Sequence, residues 1–113
     1  MRKIITATAA IGALAFAIPS SAAGSMLASW YGPGFHGRTT ANGERYDMHG
    51  LTAAHKTLPF GTKLRVCYEG CVDVRVNDRG PFIGARELDL SYGAAKAIGL
   101  THPGVANIEV TYI

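Results

Sequence analysis

Two carboxylates and one imidazole are the groups in this chain best suited to moving protons. They are Asp78 in Val76-Asn77-Asp78-Arg79-Gly80, Glu44 in Asn42-Gly43-Glu44-Arg45-Tyr46, and His55 after Leu51-Thr52-Ala53-Ala54. A pair of carboxyls, or one carboxyl acting first as acid and then as base, is the equipment for breaking a glycosidic bond. Each residue also has a plainer use. Asp78 can cap the turn that follows it, and His55 on an apolar segment can be a hydrogen-bonded structural histidine. Trp30 and Tyr31 offer rings for stacking on sugars, although a single Trp in a small domain also serves as core. Thr40, Asn42 and Tyr46 add a hydroxyl, an amide and a phenol near Glu44, and Asn77 and Arg79 flank Asp78. Such mixtures recognise sugars.

Other chemistries find little support. His36, His49, His55 and His102 are scattered without ligand spacing, so no metal and no other cofactor is expected. The chain contains neither a Gly-x-Ser-x-Gly elbow nor a phosphate-binding glycine motif.

Positioning Asp78 falls to the segment before it. Val72, Val74 and Val76 alternate with polar residues, the period of a strand with one buried face, and Asp78 continues the same parity. A carboxyl one step beyond an apolar stripe is partly desolvated, which suits it to hold a proton. Asn-Asp-Arg-Gly-Pro then stops the strand. Upstream, Lys63–Val74 reads as a hairpin turning at Tyr68-Glu69-Gly70, with Cys67 opposite Cys71. That register sets Val66 against Val72, Leu64 against Val74 and Arg65 against Asp73, while Lys63 against Arg75 is a like-charge pair. A structural disulfide is the favoured use of the two cysteines, with a redox site or half a metal site as alternatives.

The other elements follow from similar signals. Met26–Tyr31 predicts a first strand, Phe35–Gly50 a long glycine-punctuated loop, and Leu51–His55 a short buried segment. Arg86–Leu90 alternates as a strand. Ser91 and Gly99 bracket a short helix, and the stretch from Gly104 to Ile113 alternates again. Several short strands, one small helix and many glycines predict an all-β fold, a small barrel in a single domain spanning residues 24–113.

The first 23 residues read differently. Arg2 and Lys3 precede an apolar run from Ile4 to Ala17 and small residues up to Ala23, the pattern of a secretory signal peptide cut before Gly24, with a cut after Ala22 as a near rival. An exported chain keeps Cys67 and Cys71 in an oxidising compartment. Of the 11 Lys and Arg residues, Arg2 and Lys3 leave with the leader, so 9 face 8 Asp and Glu. The resulting net charge of +1 removes the basic excess that nucleic-acid binding needs. No cysteine follows the leader before Cys67, so no lipid anchor to a membrane is expected after cleavage.

These motifs carry a family resemblance. Ala28–Gly32, Phe35–Met48, Leu51–Thr62 and Val74–Phe82 are, in order, similar to the rare lipoprotein A family, and together they span most of residues 24–113. The resemblance implies a six-stranded double-psi β-barrel, the fold of expansins and barwin-like proteins. It also implies lytic transglycosylase activity on the glycan strands of bacterial peptidoglycan, with Asp78, Glu44 and His55 as the catalytic set. A monomer in the periplasm or outside the cell is expected. The alternative is a non-catalytic, expansin-like protein that binds and loosens wall polysaccharide.

Overall fold

In the computed structural model, residues 23–113 are described; the expected leader, residues 1–23, lies outside them except for Ala23. Six strands form a closed barrel: β1 (Ala23–Trp30), β2 (Thr52–His55), β3 (Lys63–Cys67), β4 (Cys71–Asp78), β5 (Leu88–Leu90) and β6 (Ala106–Tyr112). Around the barrel the order is β1-β5-β2-β4-β3-β6, with β6 returning to β1. Pairs β1·β5 and β2·β4 are parallel, and the other four are antiparallel. Closure leaves no free sheet edge, so a small domain satisfies its ladders without a second layer.

The β3–β4 hairpin has the expected register, including Cys67 opposite Cys71 and the like-charge pair Lys63 opposite Arg75. Glu44 offsets that repulsion in part by pairing with Arg75, and at the next pair Arg65 donates to Asp73 from Nε at 2.8 Å and Nη2 at 3.1 Å. Val66, Val74 and Val76 point into the core with Leu64, Leu88, Leu90, Ile108 and Val110. Cys67 and Cys71 form a disulfide at the hairpin tip. This tip docks on helix α1 (Tyr92–Ile98), where the Glu69 amide donates to the Ile98 carbonyl at 2.9 Å. Ser91 caps α1 by accepting from the Ala94 amide, and the helix ends at Gly99, whose φ of 82° favours glycine.

The disulfide closes a very short loop, so its removal should cost about 2 kcal/mol. It lies at the far end of β4 from Asp78, roughly 23 Å along an eight-residue strand. Replacing both cysteines with serine should lower the melting temperature by roughly 10 °C and leave activity per folded molecule unchanged. Loss of activity in a folded double variant would instead place the sulfurs in the chemistry.

Three elements differ from expectation. β1 begins at Ala23 and ends at Trp30, because pairing with β6 recruits Gly24 and Ser25, which carry no apolar signal. β5 is only three residues long, as Arg86 turns back to the Ile83 carbonyl. The long loop is more ordered than its glycines suggest. It folds on itself through a Thr39–Arg45 bridge, with Gly37 donating to the Tyr46 carbonyl and Tyr46 donating to the Arg38 carbonyl.

Candidate active site

Strict alternation along β4 ends before Asp78. Ala53 pairs with Val76 and Ala54 with Asp78, which leaves Asn77 as the extra residue of a β-bulge. Both Val76 and Asn77 are buried, so Asp78 reaches the site by a bulge rather than by simple parity. Ala54 also pairs with Asp89 on β5, and Asp89 pairs with Ser29 on β1. One row across four strands therefore reads Asp78, Ala54, Asp89, Ser29. With strands about 4.8 Å apart, the two aspartates start roughly 10 Å from each other, separated only by a methyl group.

Both aspartates line a groove of about 430 Å³, together with Tyr31, Thr40, Tyr46, Arg79, Phe35, Phe82 and others. The Asp78 carboxylate accepts three hydrogen bonds. Tyr31 Oη donates to Oδ2 at 2.6 Å, and the amides of Ala41 and Arg79 donate to Oδ1 at 2.8 and 2.9 Å. Burial, and then the bond to Asp78, push the Tyr31 phenol far above its usual range, so it stays a donor. Its ring stacks on Tyr46 with centroids 4.6 Å apart, and Tyr46 Oη accepts from the Tyr92 amide. Tyr31 is thus part of the Asp78 assembly as well as of the groove wall.

Asp89 is in a different setting. Burial raises its pKa above the usual carboxylate range, opposed by a 3.0 Å bond from Ser29 Oγ, and the neighbouring Asp78 raises it further. Because its folded pKa lies above the unfolded one, Asp89 favours folding at low pH and loses that contribution as pH rises through the folded value. A half-buried carboxyl whose ionisation opposes folding is a candidate for use in chemistry. Sequence reasoning missed it. Leu88-Asp89-Leu90 reads as an ordinary strand with its polar residue turned outward, and only the pairing of β2 with both β4 and β5 sets Asp89 beside Asp78.

Glu44 and His55 are near the site but not among the residues lining the groove. Glu44 is fully engaged: Arg75 donates to it in a bidentate pair at 2.6 and 2.9 Å, Asn42 Nδ2 at 2.9 Å and Asn77 Nδ2 at 3.1 Å. These bonds, led by that from Arg75, lower its pKa from 4.5 to about 2. A carboxylate so held is a poor proton carrier, and its geometry suits it to fasten the loop. Asn42 also donates its amide to the Asn77 carbonyl and accepts from Thr40 Oγ1, fixing the turn from which Ala41 reaches Asp78. His55 Nδ1 accepts from the amides of Thr57 and Leu58, both at 3.1 Å, and burial lowers its pKa. It is a neutral turn-forming histidine in this arrangement.

Arg79 donates to the carbonyls of His55 and Leu58, and its guanidinium carbon lies 4.0 Å from the Phe60 ring centroid. His55, Leu58 and Arg79 thereby hold one wall of the site. Trp30 faces away from Asp78, towards Pro33, Met48, His49 and Tyr92, with its ring 5.4 Å from that of Tyr92. Among the described residues no cluster of three or more His, Cys, Asp or Glu side chains is arranged to hold a metal ion. No helix among them is long and apolar enough to cross a membrane.

Comparison with known proteins bears on the family and the fold. Residues 21–110 match the family model described as lytic transglycolase. A probable endolytic peptidoglycan transglycosylase RlpA from Synechocystis sp. is 58% identical over 90 residues, covering 77% of this chain and 28% of that protein. The endolytic peptidoglycan transglycosylase RlpA of Campylobacter jejuni is 53% identical over 90 residues, covering 77% of this chain and 33% of that protein. The chain thus spans about a third or less of the length of these relatives. Among solved structures, a Streptomyces papain inhibitor superposes with a TM-score of 0.66 at 22% identity, over 86% of this chain and 99% of that one. A Clavibacter michiganensis expansin superposes with a TM-score of 0.65 at 24% identity, over 81% of this chain and 50% of that one. These two likenesses concern the fold, a double-psi β-barrel. With the family model matching most of the described residues, the chain belongs to the lytic transglycolase family.

Proposed function

We propose that this protein is an endolytic peptidoglycan transglycosylase, cutting the β-1,4 bond between N-acetylmuramic acid and N-acetylglucosamine. The observation that carries the reading is Asp78, fixed by three donors in an open groove with a second carboxyl beside it. Relatives with this domain bear that activity in their names. A peptidoglycan substrate, together with the leader pattern of residues 1–23, supports a site of action outside the cytoplasm, in the periplasm or beyond the cell.

Asp78 in its protonated form donates to the glycosidic oxygen as the bond to C1 breaks. The resulting carboxylate then takes the proton of the muramic acid C6 hydroxyl as O6 bonds to C1. A 1,6-anhydro ring closes, and Asp78 regains its proton. No activated water takes part. Tyr31 and the amides of Ala41 and Arg79 hold the carboxyl in line for both transfers. Asp89, whose pKa is raised by burial, stands across Ala54 from Asp78 in the same groove. Glu44, Asn42 and Asn77 position the loop, and His55 and Arg79 position the opposite wall.

The test is digestion of purified sacculi, with and without stem peptides, followed by mass spectrometry of the products. Glycans ending in 1,6-anhydro-muramic acid are expected. Reducing ends would mark a hydrolase, and binding without any product would mark an expansin-like wall-loosening protein.

A further inference from the structure

The groove has an apolar lip that proton transfer does not explain. Phe82 is 77% exposed and Ile83 63%, the two most exposed large apolar side chains among the described residues. Both line the groove that holds Asp78. Phe35, 47% exposed, lines the same groove, and its ring packs edge-on against Tyr31 at 5.8 Å. Phe35, Phe82 and Ile83 thus form one apolar cluster at the groove, apart from the exposed rings of Phe60, Tyr68 and Tyr112, and such a cluster marks a contact surface.

Phe82 is also placed by its surroundings. Its Cδ2–Cε2 edge lies 3.4–3.5 Å from where a Cβ on Gly80 would stand. Gly80 itself has a φ of 118°, a conformation that glycine adopts without strain. The ring thus meets backbone on one side and water over most of its remaining surface. A pyranose presents flat C–H faces that pack on aromatic rings, and its hydroxyls remain free for polar neighbours. Asp78 and Arg38, which donate or accept hydrogen bonds, line the same groove.

We infer that Phe82, supported by Ile83, is a substrate-positioning residue that stacks on a sugar ring of the glycan strand adjoining the bond at Asp78. This rests on the glycan-cleaving reading, and the occupant follows from continuity: a strand lying across Asp78 must pass the lip of the groove that contains it. Phe82 takes no part in proton transfer, so its effect falls on binding.

Two measurements test this. The first is co-sedimentation of the Asp78→Asn protein, which binds without turnover, with peptide-stripped sacculi. Adding Phe82→Ala should weaken retention about tenfold, and Phe82→Trp should restore it. The second is steady-state cleavage by the active protein, where Phe82→Ala should raise KM about tenfold with kcat within about twofold. Because Phe82 is exposed, the melting temperature should not move, which separates lost stacking from lost fold. Unchanged retention and KM in Phe82→Ala would overturn the inference, as would a fall in kcat alone. A concentration-dependent dimer abolished by Phe82→Ala would also overturn it, showing a second copy as the occupant. If the unmodified protein binds sacculi but yields no anhydro ends, the transglycosylase reading fails, while the Phe82 dependence of binding still decides this one.

Discussion

Asp78→Asn is expected to reduce release of 1,6-anhydro products by at least ~100-fold while leaving the protein folded. Asparagine has the same outline and still accepts from the Ala41 and Arg79 amides through its carbonyl. It cannot hand a proton to the glycosidic oxygen or take one from the C6 hydroxyl, so both halves of the cycle stop. Product-resolved mass spectrometry and a melting curve on the same preparation measure the two properties separately. Activity within tenfold of wild type would remove Asp78 from the acid–base role. Asp89→Asn makes an informative control. It removes a half-buried carboxyl whose ionisation opposes folding and keeps a partner for Ser29, so the melting temperature at neutral pH should rise. Activity should fall, less steeply than for Asp78→Asn, if Asp89 tunes the groove and Asp78 does the transfers.

Glu44→Gln is expected to lower kcat about tenfold and stability by about 1 kcal/mol, the upper part of the range for a half-exposed ion pair. The catalytic loss follows from geometry. Glu44 joins Arg75 and Asn77 of β4 to Asn42 in the loop, and that loop brings the Ala41 amide to Asp78. Loosening the turn removes one of the three donors that hold the carboxyl. The pH dependence has a definite sign. The folded pKa of Glu44 is about 2 against an ordinary 4.5, so its contribution to stability is complete above 4.5 and disappears as pH falls through 2. The melting-temperature gap between wild type and Glu44→Gln should therefore be constant near neutrality and close towards pH 2. A double-mutant cycle with Arg75→Gln should show coupling between the two positions. A gap that persists at low pH, or unaltered turnover in the variant, would contradict the loop-fastening role.

Local pattern made much of the scaffold legible from the sequence alone. The β3–β4 hairpin could be registered residue by residue, because alternating valines, a three-residue turn and facing cysteines all demand the same pairing. Ser91 and Gly99 bounded α1 for equally local reasons, a hydroxyl accepting from the third amide onward and a left-handed stop. Asp78 could be singled out because it ends an apolar strand at a turn. The motifs shared with a family carried the barrel and the activity further than periodicity could.

What the tertiary structure decided was which polar groups meet. Alternation put Asp78 on the face of Val76, but the bulge at Asn77 is set by pairing with β2, and that pairing is invisible in a single strand. Asp89 joins Asp78 only because β2 lies between β4 and β5, parallel to the first and antiparallel to the second, and so connects strands far apart in the chain. Glu44 read as the second carboxyl of a pair with Asp78 from its residue type. The bidentate contact with Arg75, thirty-one positions away, makes it a fixed anion and a fastener of the loop. Trp30 and Tyr31 read as neighbours of equal use, yet β1 ends at Trp30, which packs against Tyr92, while Tyr31 just beyond the strand bonds to Asp78. Residue type and spacing determined the strands, the turns and the list of candidate acids. A carboxyl's role depends on its desolvation and its donors, and long-range strand pairing supplies both.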